Sequence, residues 1–357
     1  MSETIVLPTG QGPDRLDQLQ DFAHQITDIS DQIGFKISSR GWCYQLEGFG
    51  LINKSQFDRI EGLINECRER GFVPIDFTAE EEGRKFSGVE EPDPETPQQW
   101  IAKYVRAVGN CEQYFTPDWW DGEEYYIQML VEKIDLKTLF RPVCNTFHIP
   151  IATSKGWSSM LQRAEYARRF KEAEEHGLKC VLLYCGDHDP DGLRISQFIL
   201  LNLVDLARIV WSDGTEGYTP DKLVIDRFGL NYDFITENNL TWIDNLITGS
   251  GRNLASPSHK FYKMPYVQNY LRDYGARKCE ANALVVRPEQ ARALCLQAIE
   301  RYLGARAEGR FINKEVDRLR SFNEAREDIV IPVPPSNEEE ISLAEVITAI
   351  LQQLGEE

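Results

Sequence analysis

The run Leu178–Cys185 (LKCVLLYC) is apolar and of strand length, and Gly186-Asp187-His188-Asp189-Pro190-Asp191-Gly192 follows it at once. A strand that is apolar on both faces must be covered on both sides, which is the condition of an inner strand in a parallel sheet. The neighbouring segments share that grammar. Tyr125–Lys133 (YYIQMLVEK) reads as a strand that carries an acid, Glu132, at its end. Phe140–Thr153 (FRPVCNTFHIPIAT) and Asp221–Leu230 (DKLVIDRFGL) read as two more strands. Ser158–Gly177 and Leu193–Ile209 read as helices between them, the first closed by Gly177. Strands and helices in alternation predict a doubly wound α/β domain on a mainly parallel sheet. Functional loops of such sheets lie at the carboxyl ends of strands, where Glu132 and Asp187 both fall.

Asp187, Asp189 and Asp191 occupy alternate positions and would repel one another unless a cation neutralised them. Oxygen donors with no cysteine or histidine pair nearby favour Mg²⁺ or Mn²⁺ over zinc. The same D-x-D-x-D-G order opens a calcium loop, but that loop needs a glutamate at its twelfth position, where Phe198 stands. Glu132 is the natural fourth carboxylate. A loop that merely caps the following helix is the plainer alternative for the acids. The eight cysteines are scattered with no CxxC pair, and the five histidines show neither HxH nor HExxH spacing. Buried reduced thiols are therefore expected, and zinc is not.

The first third of the chain reads differently. Leu16, Leu19, Phe22, Ile26 and Ile29 mark one face of a helix over about Asp14–Gln32. Ser38 or Ser39 can cap a second helix carrying Arg40, Trp42, Cys43, Tyr44 and Leu46. A third is expected to start at Ser55, with Asp58 at the capping-box position and Gly71 as its stop. Three short helices followed by FVPIDF (Phe72–Phe77) suggest a helix-turn-helix with an extended wing. Residues 78–99, rich in Glu, Pro and Gly, read as a linker or solvated loop. Near the C-terminus, Leu343, Val346, Ile347, Ile350, Leu351 and Leu354 form an apolar stripe. That stripe either docks on the chain's own core or waits for a dimer or partner contact.

Composition complicates a nucleic-acid reading. The net charge is −18, whereas a polyanion binder normally presents a basic face. The charge is uneven, however. Thirteen acids stand against Arg84, Lys85, Lys103 and Arg106 between Pro74 and Glu124, while Lys36–Val73 holds six bases against five acids. No apolar run reaches the roughly 18–20 residues of a bilayer span, since the longest, near Phe198–Leu206, is broken by Asn202 and Asp205. The opening MSETIVLPTGQGPDR lacks the pattern of a secretory signal, so a cytoplasmic protein with no membrane partner is expected.

An acid ending one strand and an acid cluster ending the next resemble the toprim domain of topoisomerases, primases and related nucleases. The match is carried by LVEK (130–133), ATSKGW (152–157) and YCGDHDPDGLRIS (184–196). The resemblance implies that Glu132, Asp187 and Asp189 bind Mg²⁺, for which Mn²⁺ can substitute, with Asp191 as an auxiliary ligand. The segment 37–76 (ISSRGWCYQLEGFGLINKSQFDRIEGLINECRERGFVPID) in turn resembles the winged-helix module of type IIB topoisomerase A subunits and meiotic double-strand-break proteins. In that family an arginine precedes the catalytic tyrosine by four residues, which here gives Arg40 and Tyr44. That spacing puts both on one helix face, with a cation beside a phenol whose ordinary pKa of about 10 makes it a weak nucleophile. RDYGARKCEANALVV (272–286) resembles a late segment of the family and places Glu280 near the end of the toprim region. By layout the chain is similar to compact "mini-A" forms of topoisomerase VI found on mobile elements. It departs from the family at Asp191 and Cys43, where an aromatic residue is usual.

The domain organisation so implied is a winged-helix DNA-binding domain over 1–77, an acidic linker over 78–123, a toprim domain over 124–310 and a tail over 311–357. The implied activity is Mg²⁺-dependent cleavage, with possible religation, of double-stranded DNA through a tyrosyl–DNA ester, by a nucleoid-associated homodimer. Each composite site would take its tyrosine from one protomer and its metal from the other. The sequence carries no GxxxxGK[ST] motif, so ATP-driven strand passage would need a separate ATPase B-like subunit. Two alternatives stay open: a hydrolytic toprim nuclease in which Tyr44 is packing, and a non-catalytic DNA-binding subunit.

Overall fold

The computed structural model describes residues 7–9, 13–79, 111–154, 160–247, 252–327 and 342–354, with a few single positions between 96 and 107. Most of the expected linker, and Lys155–Trp157 of the ATSKGW motif, lie outside the described residues. The chain divides into two units, one made of Met1–Ser87 with Gly122–Ala305, the other of Gly88–Asp121 with Arg306–Glu357.

Three helices open the first unit: α1 (Pro13–Ile33), α2 (Ser39–Gly48) and α3 (Phe57–Glu69). Leu19, Phe22 and Ile26 of α1, Trp42 and Leu46 of α2, and Phe57, Ile60 and Ile64 of α3 bury into one core. Ser38 caps α2, its side chain accepting from the Gly41 amide. The approach to α3 is built differently from expectation. A 3₁₀ turn (Lys54–Gln56) precedes it, Asn53 accepts from the Ser55 amide, and the Gln56 side chain accepts from the Asn53 amide at 3.0 Å. The capping box therefore belongs to Asn53 and Gln56, not to Ser55 and Asp58. Phe72–Phe77 forms turns instead of an extended wing, because Phe77 N–H bonds back to the Pro74 carbonyl and its ring stacks on Trp42 at 5.1 Å.

The rest of this unit is mixed α/β. Strands β1 (Tyr125–Val131), β2 (Ile151–Thr153), β3 (Lys179–Cys185) and β4 (Val224–Gly229) form an all-parallel sheet in the order β2-β1-β3-β4. Between them run α4 (Ile134–Thr146), α5 (Met160–Glu175) and α6 (Ile195–Val204). Then follow α7 (Tyr232–Glu237), α8 (Pro265–Tyr274), a 3₁₀ helix (Ala281–Val286) and α9 (Pro288–Leu303). Side chains alternate across β1: Gln128 bonds the Tyr166 carbonyl of α5, whereas Met129 meets Cys144 of α4, so helices cover both faces. Half of the expected strand at Phe140–Thr153, Phe140–Thr146, is the second half of α4, and its end, Ile151–Thr153, is β2. Leu136, Leu139, Phe140 and Cys144 recur at helical spacing and are all buried, and that burial outweighs Pro142 within the helix. Helix α6 is shorter than expected and begins after a 3₁₀ turn, Gly192–Arg194. Cys43, Cys67, Cys144, Cys180, Cys185, Cys279 and Cys295 are buried and free, and burial pushes the Cys43, Cys180 and Cys185 thiols up to about 12.

In the second unit α10 (Ala307–Glu327) packs Phe311 against Trp120 and Phe322 against Phe115. Helix α11 (Leu343–Leu354) carries the predicted apolar stripe, and Ile347 and Leu351 on it stay exposed. No helix among the described residues is long and apolar enough to cross a membrane.

Candidate active site

Parallel pairing sets the site. Val131 is in register with Cys185, so β1 and β3 end side by side and release Glu132 and Asp187 at the same edge of the sheet. The Glu132 amide bonds the Cys185 carbonyl at 3.0 Å, and Glu132 Oε2 accepts from the Asp187 amide at 2.9 Å. Asp187 Oδ1 accepts from the Ala281 amide at 2.8 Å, and Asp189 Oδ1 from the Gly192 amide at 2.6 Å. Each of the three carboxylates thus spends one oxygen on a backbone N–H. The other oxygens of Glu132 and Asp187 converge on the Lys133 ammonium, at 2.8 and 3.2 Å.

The electrostatics follow from this crowding. Burial and the Asp187 charge raise the Glu132 carboxyl, partly offset by Lys133. Burial would lower the Lys133 ammonium, but Asp187 and Glu132 outweigh it and hold its pKa above the usual lysine value. Burial, then Asp187, push the Asp189 carboxyl up to about 6. Asp191 stands apart from this group: it is exposed and pairs with the Tyr266 hydroxyl, over whose ring the Arg194 guanidinium lies at 4.3 Å. Among the described residues no three His, Cys, Asp or Glu side chains converge as a ready-made metal cage. The donor set still suits a hard cation, because it offers only carboxylate oxygens and two of them already share one positive partner.

Two residues that sequence reasoning passed over hold the acid loop in shape. The Arg227 guanidinium of β4 reaches the carbonyls of Gly192, Asp187 and Leu230 at 2.9–3.0 Å, and Gly186 at 3.3 Å. His188 is buried, with its Nδ1 3.0 Å from the Tyr270 hydroxyl, and burial followed by Arg227 lowers its imidazole to about 4, so it is neutral. The sequence signal for Arg227 is a base beside Asp226 within an expected strand. Gly192 closes the loop: a Cβ there would lie 2.1 Å from the Asp187 carbonyl oxygen.

Helix α2 packs directly on this assembly. Asp135 of α4 accepts from the Ser38 amide and from Ser38 Oγ, both at 2.7 Å. A Cβ at Gly41 would meet Asp135 Oδ2 at 2.8 Å, and one at Gly48 would meet Val286 at 2.6 Å, so glycine allows the close approach. Arg40 and Tyr44 share a face of α2 and meet on one ring, the guanidinium 4.7 Å from the Phe57 centroid and the phenol edge-on to it at 5.1 Å. Tyr44 is 3% exposed, and its hydroxyl has no hydrogen-bond partner. It lines a pocket of about 20 Å³ with Glu47 and Glu280. The structure therefore brings Glu132, Asp187 and Asp189 to one edge. It places Arg40 and Tyr44 on the helix packed against the segment that holds Asp187, and it leaves Asp191 outside.

Comparison with protein-family models, with characterised proteins and with solved structures returns no match to this chain.

Proposed function

We propose that this chain is a Mg²⁺-dependent DNA-cleaving enzyme of the type IIB topoisomerase A class, with a helical DNA-binding module around α2 and α3 and a toprim module around the sheet. The supporting observation is the pairing of Glu132 and Asp187 about one cationic partner at the ends of adjacent parallel strands. A divalent ion held by Glu132, Asp187 and Asp189 would stabilise charge developing on a phosphodiester and on its leaving oxygen. Tyr44 Oη attacks the phosphorus, a phosphotyrosyl ester forms as the P–O bond to the neighbouring sugar breaks, and the phenolic proton ends on the released hydroxyl. Arg40, on the same helix face, favours the phenolate and the phosphate charge. Reversal reseals the strand. Cutting both strands takes two tyrosines and hence a two-fold dimer.

The burial of Tyr44 favours a second reading, in which water is the nucleophile and Tyr44 is packing. Supercoiled plasmid incubated with Mg²⁺ or Mn²⁺, stopped in detergent and run with and without proteinase K, separates the two. Nicked or linear DNA that enters the gel only after protease, and that is lost in Tyr44→Phe, is the result expected of tyrosyl transfer. Cuts that run freely, persist in Tyr44→Phe and vanish in Glu132→Ala would replace that mechanism with hydrolysis.

A further inference from the structure

Beside Tyr44 lies an open cleft of about 640 Å³ that the acid site does not use. Its walls include Arg40, Lys54, Ser55, Trp242, Lys278 and Glu280. In a chain of net charge −18, this concavity is locally balanced, with Arg40, Lys54 and Lys278 against Glu47, Asp244 and Glu280. Two of them share a single counter-ion: Lys54 Nζ lies 2.6 Å and Lys278 Nζ 3.4 Å from Glu280 Oε1. Arg40 is half-exposed and held only loosely, 3.4 Å from Glu61. Glu47 and Asp244 also face the cleft, and burial raises the carboxyls of Glu47 and Glu280. Trp242 adds an aromatic wall beside them, its ring covered by Arg277 at 4.2 Å. Cations interleaved with an aromatic surface are the combination that tracks a nucleic-acid backbone.

The cleft is also tied to the acid site. Glu280 precedes Ala281, whose amide binds Asp187 Oδ1, and Glu47 and Glu280 belong both to the cleft and to the small pocket lined by Tyr44. An anion seated against Lys54 and Lys278 would therefore stand next to the wall that holds the phenol and one residue from the segment that anchors Asp187.

We infer that this cleft is a phosphate subsite for the nucleic-acid backbone, with Lys54, Lys278 and Arg40 as its cationic walls and Glu280 as the resident counter-ion that an incoming phosphodiester displaces. The inference rests on the DNA-cleaving reading but concerns binding alone, so it can be tested without catalysis. Anisotropy of a labelled duplex of about 20 base pairs is followed in EDTA over a range of salt, with the full chain and with Lys54→Gln, Lys278→Gln and Glu280→Gln. Each lysine variant should weaken binding and lower the log–log salt slope by about 1, the signature of one lost phosphate contact. Glu280→Gln should tighten binding, an effect that a damaged fold would not produce. Inorganic phosphate, as a competitor, should displace the duplex only weakly. Duplex binding that the lysine variants leave unchanged overturns the subsite and spares the DNA-cleaving reading. Lysine-dependent protection from thermal unfolding by inorganic phosphate, with no duplex bound, assigns the cleft to a free anion and overturns the backbone assignment. A full chain that binds neither probe overturns both.

Discussion

Lys133 Nζ and Asp187 Oδ2 are 3.2 Å apart across 54 residues of sequence, and Glu132 Oε1 lies 2.8 Å from the same ammonium. The lysine thus holds together two carboxylates that would otherwise repel. Replacing it by methionine leaves two largely buried like charges without a counter-ion, a change that costs about 3–5 kcal/mol by analogy with broken buried pairs. On the proposed function, a divalent ion would take over the neutralisation. Lys133→Met should therefore lose stability in EDTA and recover most of it in Mg²⁺ or Mn²⁺, read as urea midpoints under the two conditions. An equal deficit in both would mean that these acids do not take a cation.

Tyr44 separates stability from chemistry. Its buried hydroxyl has no partner, so Tyr44→Phe removes a desolvated polar atom and loses no bond. Denaturant unfolding should show the variant unchanged or up to about 1 kcal/mol more stable. The protease-sensitive DNA adduct should disappear in the same variant. A clear loss of stability would mean that the hydroxyl is bonded in solution.

Ser38 ties helix α2 to α4 through Asp135. Burial raises the Asp135 carboxyl, while hydrogen bonds from Ser38 favour its ionised form and pull the pKa down. A folded pKa above the unfolded one means that the contribution of Asp135 is most favourable at low pH and is lost as pH rises through the folded value. Ser38→Ala removes both the cap and one bond to the carboxylate, so the folded pKa rises further. The variant should be about 1–2 kcal/mol less stable near neutrality, from the cap and the weakened carboxylate together. Because the carboxylate part of that cost exists only when Asp135 is ionised, the deficit should shrink toward pH 4. Unfolding curves from acid to neutral pH, compared with the unaltered chain, check both sign and window.

What could be read beforehand was set by local pattern. Strands β1 and β3 are largely apolar runs of the right length, and α1 shows 3.6-residue spacing, so burial and sequence agree there. Residues Phe140–Phe147 were misread because Val143, Phe147 and the helix breaker Pro142 all argue for an extended chain. The helical spacing that wins begins earlier, at Leu136. The acids of the site could be read because like charges at short spacing demand a partner. Arg227, His188 and Lys133 could not. Each acts on groups brought near by strand order or by the final fold, and a lone base or histidine in a strand or loop says nothing of that. The burial of Tyr44 depends likewise on α3 and on Phe57, 13 residues further on.

Arg227 offers the sharpest test of how the acid loop is kept in shape. Its guanidinium spans the carbonyls of Gly186, Asp187, Gly192 and Leu230 and also donates to Asn231 Oδ1 at 2.6 Å. A lysine keeps the charge but is a point donor on a flexible stem and cannot reach so many acceptors at once. Hydrogen bonds to charged groups contribute about 1.5–3 kcal/mol, so the loss of even one or two should raise local opening by about tenfold or more. Hydrogen exchange over residues 186–192 should accelerate by that amount in Arg227→Lys, while exchange in the three N-terminal helices stays the same. Gly192→Ala attacks the same loop from the other side, since its Cβ would collide with the Asp187 carbonyl and force the backbone to move. It should cost about 1–3 kcal/mol as an overpacked site does, and it should abolish metal-dependent DNA cleavage. Unchanged exchange in Arg227→Lys together with full cleavage by Gly192→Ala would mean that the loop geometry is set by neither residue.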